Sequence, residues 1–298
     1  MFFMNYRELL RGTGVALVTP FKQNMEIDFP ALERVINYVI DNGAEYVVTL
    51  GTTGETPTLS KEEKIELILF TYQVVADRVP VVVGIGGNNT LSLIKDLETF
   101  PLHKAAAVLS ASPYYNKPSQ EGIYQHYKAL AEVSPKPIIL YNVPGRTGRN
   151  MSAQTTLRLA HDFKNIIGIK EASGDLTQAM QILKDKPADF LVLSGDDNLA
   201  LPQMACGMDG IISVIANCMP KQFSEMVRLS LQNNFAAAKL LNDQMLEAYD
   251  LLFAENNPAG VKAFLAELGL IENNLRLPVV PLSEGLHAAV AKYLQRLG

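Results

Sequence analysis

The chemistry of this chain is most visible at one lysine, which ends an apolar segment. The segment reads Ile166-Ile167-Gly168-Ile169-Lys170, and small and polar residues follow it. A short apolar run bounded by turn residues is typical of a buried parallel strand. Burial disfavours the charged form of an amine, and a neutral amine attacks carbonyl carbons to form Schiff bases. Lys170 is therefore a candidate nucleophile, and the alternative is a side chain that reaches solvent from the strand end.

Other reactive side chains follow the ends of similar segments. Thr52 and Thr53 lie between two glycines, where hydroxyls suit a carboxylate ligand or a proton relay. Tyr141 ends the segment before that of the lysine and could move protons, and Arg146 offers a fork for a carboxylate. The structural alternatives are a glycine-rich turn, a tyrosine that fills the core and a solvated loop arginine.

Three further groups are interpreted as structural. Tyr114 and Tyr115 lie in a loop bounded by prolines, where an interface or lid contact is favoured over catalysis. Asp196 and Asp197 follow another apolar segment and are predicted to cap a helix. The four histidines fall outside the ends of apolar segments, which argues against a metal site or a histidine-based triad (His103, His126, His161 and His287).

The apolar segments repeat regularly between residues 14 and 215. Amphipathic segments with helix-capping residues separate them, and most spacings are 25–35 residues, close to one βα unit. Eight such units predict a (β/α)₈ barrel, with a doubly wound open sheet as the alternative. The predicted strands are Val15–Val18, Tyr46–Leu50, Val81–Ile85, Ala105–Leu109, Pro137–Tyr141, Ile166–Lys170, Phe190–Leu193 and Gly210–Val214.

Helix signals complete the predicted organisation. Asp28, Ser60, Ser152 and Asp175 are predicted helix caps, and Ser60 begins a capping box. After Pro220 only helices are predicted, over Lys221–Leu231, Asn234–Phe253 and Pro258–Leu268. We expect residues 1–232 to form the barrel that carries the active site. Residues 233–298 should form a helical bundle packed on the barrel, without a function of its own.

Composition excludes several functional classes. The 298 residues are 48% hydrophobic and 19% charged, as in an ordinary globular core. The net charge of -5, without a basic run, argues against a nucleic-acid surface. No apolar stretch has the length of a membrane span, and Met1–Glu8 does not resemble a signal peptide. Cys206 and Cys218 lack metal or disulfide spacing, so we expect reduced thiols and a cytoplasmic protein.

Four motifs together resemble those of the pyruvate-dependent class I aldolase superfamily, and within it the dihydrodipicolinate synthase family. They are Gly51-Thr52-Thr53-Gly54-Glu55, Pro113-Tyr114-Tyr115-Asn116, Tyr141-Asn142-Val143-Pro144 with Arg146-Thr147-Gly148, and Gly168-Ile169-Lys170-Glu171-Ala172. The likeness covers nearly the whole chain with the motifs in order. It implies condensation of pyruvate with L-aspartate 4-semialdehyde in the diaminopimelate and lysine pathway. No metal or organic cofactor is implied, because the lysine iminium is the electron sink.

The resemblance also implies roles for individual residues. Lys170 would form the Schiff base, Tyr141 would transfer protons, and Thr53 would hold the pyruvate carboxylate. Thr52 would link Tyr141 to Tyr115, and Tyr115 would enter the site of a neighbouring subunit. A homotetramer built as a dimer of dimers is therefore implied. The remaining roles concern substrate binding: Arg146 would bind the aldehyde's carboxylate, while Gly195 and the backbone of Ile212 would line the pyruvate pocket.

Two other functions are consistent with parts of the pattern. A sister pyruvate aldolase, such as N-acetylneuraminate lyase or a 2-keto-3-deoxy sugar acid aldolase, shares the lysine and the tyrosine. Arg146-Thr147-Gly148 and the double threonine favour the synthase. A non-catalytic pyruvate-binding barrel is disfavoured, because every hydroxyl and amine that the reaction needs is present.

The resemblance further implies an altered effector cleft. In lysine-inhibited relatives a glutamate binds the effector's ammonium, and Ser92 stands at that position here. Lys61 and Lys64 replace two histidines of the cleft, whereas Asn88 and Tyr114 match the family pattern. A lost anion and added cations both oppose a cationic ligand, so we expect weak inhibition by lysine.

Overall fold

The computed structural model describes residues 5–297. The segment Met1–Glu8, which was predicted not to be a signal peptide, lies partly outside the described residues. Within residues 5–297, eight parallel strands form a closed barrel in sequence order, and β1 pairs with β8 to complete it. This confirms the predicted (β/α)₈ barrel. The strands are β1 Gly12–Ala16, β2 Tyr46–Thr49, β3 Val81–Gly84, β4 Ala107–Ala111, β5 Ile138–Asn142, β6 Ile166–Glu171, β7 Leu191–Ser194 and β8 Gly210–Ser213.

The first strand begins at Gly12, three residues before the predicted Val15, and it includes two glycines, Gly12 and Gly14. A Cβ at Gly14 would lie 2.2 Å from the ring of Tyr46, which fills the barrel interior. A Cβ at Gly210 would lie 2.1 Å from the carbonyl oxygen of Gly12. Only glycine fits at these strand positions, because atoms of the neighbouring strands occupy the space that a Cβ would need.

Helices cover the outside of the barrel and connect successive strands. Asp28, Ser60, Ser152 and Asp175 each accept a hydrogen bond from a backbone N–H in the first turn, which confirms the predicted caps and the capping box at Ser60. The helices are α1 Tyr6–Leu9, α2 Phe29–Asp41, α3 Lys61–Val75, α4 Thr90–Thr99, α5 Gln120–Val133, α6 Pro144–Thr147, α7 Ala153–Asp162, α8 Leu176–Asp185, α9 Ala200–Ala205, α10 Pro220–Leu231, α11 Phe235–Phe253, α12 Ala259–Glu267 and α13 Glu284–Leu297.

Two apolar clusters account for the core. A smaller cluster fills the barrel interior around Tyr46, Ile139 and Leu193. A larger one lies between the strands and the helices and continues into the helices after residue 232, where Phe264 and Tyr293 are buried. Residues 233–297, hereafter the C-terminal extension, thus share a core with the barrel. Their separation as a second unit at residue 232 stays a prediction.

The C-terminal extension contains one more helix than predicted. Helix α13 was not predicted, and its segment follows a stretch with two prolines, Pro278 and Pro281. Across residues 5–297, every helix is too short or too polar to cross a membrane.

Candidate active site

A small cavity opens where the strands of the barrel end. Most of its lining comes from the carboxyl ends of strands and the loops that follow, where barrel enzymes place their catalytic groups. It encloses about 80 Å³, enough for a small ligand. Its lining includes Thr52, Thr53, Tyr141, Arg146, Lys170, Gly195, Asp196 and Asn257. Five of the residues assigned roles in pyruvate chemistry from the sequence, and Arg146, therefore meet in one place.

Lys170 and Tyr141 are neighbours on adjacent strands. The register of β5 and β6 pairs the two residues directly, and both are buried. The amine Nζ lies 4.5 Å from the centroid of the tyrosine ring. A desolvated amine beside a phenol can attack a carbonyl while the hydroxyl transfers protons.

Gly195, which follows β7, allows this lysine to reach the cavity. A Cβ added at Gly195 would lie 3.0 Å from Lys170 Cε and 2.5 Å from Ala172 Cβ. Real Cβ atoms do not approach carbon so closely, so any other residue would displace the lysine or its strand. The sequence predicted that Gly195 would line the pocket, and the structure places it there.

The two threonines form a turn after β2. Thr52–Gly54 is one turn of 3₁₀-helix, closed by bonds from Gly54 N to Gly51 O and from Glu55 N to Thr52 O, each 3.1 Å long. Thr19 Oγ1 donates to the carbonyl of Gly54 at 2.7 Å and secures the turn to the end of β1. Both threonines line the cavity, so the turn presents hydroxyl groups and backbone N–H groups to a ligand.

Two asparagines before α12 contact this site, and no local sequence pattern predicts them. Asn257 Nδ2 donates to Thr53 Oγ1 at 3.0 Å, and its Oδ1 is buried without a partner among the described residues. Arg146 donates through one terminal nitrogen to Asn256 Oδ1 at 2.9 Å and to the carbonyl of Asn257 at 3.4 Å. The C-terminal extension therefore contributes to the cavity, although no function was predicted for it.

The comparisons with known proteins agree with this geometry. A model of the dihydrodipicolinate synthetase family matches residues 9–297. The 4-hydroxy-tetrahydrodipicolinate synthase of Flavobacterium psychrophilum is 53% identical over 286 residues, which are 96% of this chain and 98% of that protein. The chain belongs to the dihydrodipicolinate synthetase family.

Solved structures of the family share the whole fold. The dihydrodipicolinate synthase of Thermotoga maritima superimposes with a TM-score of 0.94 at 40% identity, covering 97% of this chain and 98% of that one. The enzyme of Cyanidioschyzon merolae, solved with lysine bound, has a TM-score of 0.93 at 33% identity, with 96% and 98% covered. The chain is thus a class I aldolase-type lyase with the family's synthase function, as its sequence predicted.

Neither Asp196 nor Asp197 caps the helix that follows it, contrary to the prediction. Asp196 makes no side-chain cap and lines the cavity near Lys170. Burial raises the pKa of Asp196 to about 6 against the attraction of Lys170, with Asp197 and Glu171 adding to the rise. Asp197 accepts hydrogen bonds from Val214 N and Ile215 N, so it caps the 3₁₀ turn after β8. The prediction failed because local spacing does not reveal which neighbouring loop a carboxylate faces.

Two residues of the predicted site lie outside the cavity lining. Ile212 is fully buried on β8, while Val214 supplies the lining at that strand end. Tyr115 is 88% exposed and Tyr114 is 42% exposed. The backbone of Tyr115 is in the left-handed region, with φ of 71°.

The predicted effector-cleft residues lie on α3, on α4 and in the loops after β3 and β4. Lys61 Nζ lies 3.6 Å from a carboxylate oxygen of Asp96, one turn after the exposed Ser92 on α4. Asn88 donates from Nδ2 to the carbonyl of Tyr114 at 3.3 Å. Lys64 is partly buried on the first turn of α3.

A second hollow lies at the opposite end of the barrel. It encloses about 420 Å³ around the starts of β3 and β4, with Asp77, Arg78 and Lys104 in its lining. Lys104 pairs with Asp77, and Arg78 bonds to helix α2 at Asn37 and Asp41. Because this hollow lies at the amino ends of the strands and barrel enzymes place their catalytic groups at the carboxyl ends, the small cavity remains the candidate active site.

Proposed function

We propose that the chain condenses pyruvate with L-aspartate 4-semialdehyde through a Schiff base on Lys170. The observation that carries this proposal is the buried Lys170 amine beside the Tyr141 ring in a cavity that also contains Thr53 and Arg146. The names of the relatives, all 4-hydroxy-tetrahydrodipicolinate synthases, support it.

The reaction begins at the ketone of pyruvate. The lysine nitrogen bonds to the carbonyl carbon, the oxygen leaves as water, and Tyr141 transfers the protons that this exchange requires. Loss of a methyl proton then gives an enamine, because the iminium accepts the electron pair. Thr53 holds the carboxylate of pyruvate so that the methyl carbon faces the incoming aldehyde.

The second half forms the carbon–carbon bond. The enamine carbon attacks the aldehyde carbon of the semialdehyde, whose oxygen takes a proton, and Arg146 pairs with the substrate carboxylate. The amino group of the product then attacks the iminium carbon and closes the ring. This step breaks the bond to Lys170 and restores the free amine. The resulting hydroxylated ring is 4-hydroxy-tetrahydrodipicolinate.

Reductive trapping tests the proposal directly. Borohydride added with pyruvate should reduce the iminium and leave a stable adduct on the peptide that contains Lys170. Lys262, which is also buried, provides an internal control that should stay unmodified. Lys170→Arg should fold normally and form no adduct, because a guanidinium stays protonated. An adduct on a different lysine, or none in the wild type, would refute the Schiff-base mechanism.

A sister aldolase reaction is the alternative, and an aldehyde panel separates the two. If the enzyme condenses pyruvate with N-acetylmannosamine or a sugar aldehyde faster than with the semialdehyde, the proposed substrate is wrong. Arg146 favours the semialdehyde, since its contacts with Asn256 and Asn257 hold the guanidinium at the cavity.

We also propose that Tyr115 completes the site of a neighbouring subunit in a dimer, within a tetramer. An exposed aromatic side chain on a left-handed backbone is costly unless a partner uses it. Leu91 on α4, 71% exposed, and Tyr114, 42% exposed, are further apolar side chains that are available for a contact between subunits. Such a contact would let Thr52 connect Tyr141 with a partner's tyrosine.

We further propose weak inhibition by lysine and a cytoplasmic location. The free thiols Cys206 and Cys218 support the location. Ser92 cannot supply the anion that a lysine ammonium needs, although Asp96 offers one beside Lys61. Ser92→Glu combined with Lys61→His and Lys64→His should create sensitivity to lysine in a steady-state assay. Unchanged activity in that variant at millimolar lysine would contradict the assignment of this cleft.

A further inference from the structure

A buried ion pair joins the threonine turn to the C-terminal extension. Glu55, the residue after the turn, pairs through Oε1 with Lys262 Nζ on α12, and both side chains are almost completely buried. The two residues are far apart in sequence and lie outside the cavity lining. The mechanism proposed above does not use them.

The rest of this cluster fixes both charged groups. Glu55 Oε2 accepts from the backbone N of Arg276 at 3.0 Å. Lys262 Nζ also donates to the carbonyl of Asn274 at 2.9 Å and lies 4.3 Å from the centroid of the Phe21 ring. The ammonium thus has an anion, a carbonyl and an aromatic face around it, which compensate for lost hydration.

Glu55 itself has a constrained backbone. Its φ is 53°, in the left-handed region that non-glycine residues rarely adopt, and its N–H closes the 3₁₀ turn onto Thr52. Such a conformation persists when the surroundings hold it in place. The carboxylate is anchored by Lys262 and Arg276, so the anchor acts two residues from Thr53.

The C-terminal extension holds the same turn at a second point. Asn257, five residues before Lys262, donates to the Thr53 hydroxyl at 3.0 Å. One short segment of the C-terminal extension therefore contacts both the Thr53 hydroxyl, which faces the ligand, and the buried Glu55 carboxylate behind it. We propose that Glu55 and Lys262 are positioning residues, whose ion pair keeps the Thr52-Thr53 turn in the conformation that binds the pyruvate carboxylate.

This inference rests on the proposed role of the threonines, and a double-variant experiment tests it. Removing one partner leaves a buried charge unpaired, whereas removing both is often tolerated. Glu55→Gln keeps an acceptor for Arg276 N, and Lys262→Met keeps the length of the side chain. The singles and the double variant Glu55→Gln/Lys262→Met are compared for unfolding midpoint, pyruvate KM and hydrogen exchange of residues 51–59.

The expected result separates positioning from stability. The double variant should regain most of the stability lost in the singles, yet keep a pyruvate KM at least tenfold above wild type and faster exchange in residues 51–59. Asp209→Asn is the matched control: Asp209 is a buried carboxylate paired with Arg7 at the opposite end of the barrel. It should lower the unfolding midpoint and leave the pyruvate KM unchanged.

Wild-type pyruvate KM and loop exchange in the folded double variant would overturn the inference. So would an equal rise in KM in Asp209→Asn, since that would show a general effect of instability. The exchange of residues 51–59 is measured without pyruvate. If the wild type forms no pyruvate adduct, the proposed function is wrong. The exchange data still test whether the ion pair holds residues 51–59 in place.

Discussion

Gly195→Ala tests whether the space beside Lys170 controls the reaction. The added methyl would lie 2.5 Å from Ala172 Cβ, 3.0 Å from Lys170 Cε and 3.2 Å from the carbonyl oxygen of Glu171. Carbon atoms pack at about 3.5–4.0 Å, so relief of the shortest contact requires a shift of roughly 1 Å. The atoms that must give way belong to the strand end that carries the nucleophile.

The structure allows an estimate of both consequences. Overpacking of a buried site typically costs about 1–3 kcal/mol of folding free energy. A displacement of about 1 Å at a reacting group can reduce the rate on the order of a hundredfold, equivalent to roughly 2.7 kcal/mol in the barrier. We therefore expect a folded variant whose kcat/KM for pyruvate falls by between ten- and a hundredfold.

The assay combines steady-state kinetics, the yield of the borohydride-reduced adduct and urea unfolding. Gly285→Ala is the matched control, because a Cβ there meets nothing within 4 Å and the residue lies in α13. It should leave kinetics unchanged and stabilise the helix by about 0.5–1 kcal/mol. Wild-type adduct yield and kcat/KM in Gly195→Ala would refute the reasoning that this glycine makes room for the lysine.

Four further predictions follow from the site and its surroundings. Arg146→Ala should raise KM for the semialdehyde at least tenfold more than KM for pyruvate in steady-state assays, and equal rises would make Arg146 structural. Mixed oligomers of Tyr115→Phe and Lys170→Ala should regain activity if Tyr115 enters the partner's site, and no regain in verified mixtures would exclude this. Asp196 keeps its proton in the folded state up to pH about 6, whereas the same carboxyl in the unfolded chain ionises from about pH 4, so wild-type stability should fall between pH 4 and 6. The stability of Asp196→Asn relative to wild type should therefore rise by on the order of 1–2 kcal/mol across that window, and a constant difference in urea unfolding would contradict this. Millimolar L-lysine should inhibit weakly, and strong inhibition would overturn the interpretation of Ser92.

The sequence located the centre of the site because strand ends in a barrel converge. Lys170 and Tyr141 were each identified from a short apolar run, and the closed sheet brings these runs side by side. The same rule placed Thr53 at the cavity, whereas Gly195 was assigned there only by the family resemblance. Periodicity and turn residues carry this information locally, so no knowledge of distant contacts was needed.

The contribution of the C-terminal extension could not be obtained in this way. Asn257 and Thr53 are separated by 204 positions, and no local pattern relates them. Lys262 lies in a mostly apolar helix, where a lysine ordinarily marks a solvent-facing position. Its burial depends on Glu55 and Phe21, which only the folded chain brings together.

The end of β6 was predicted one residue too early, and that error concealed the hydrogen-bond network of Glu171. The strand was predicted to end at Lys170, because the sequence turns polar and small after it, but the strand continues to Glu171. Glu171 is buried and accepts hydrogen bonds from Asn142 Nδ2, Gln178 Nε2 and Ser173 N, at 2.8–3.1 Å.

The alternation of side chains along a strand explains where the hydrogen-bond network of Glu171 lies. Successive side chains point to opposite faces, so Lys170 faces the cavity while Glu171 faces the helices, and Tyr141 and Asn142 do the same on β5. The amide of Asn142 thus bonds to Glu171 directly behind the Tyr141–Lys170 pair. Because these bonds fix the two strand ends against each other on the outer face, they also fix the separation of the phenol and the amine on the inner face.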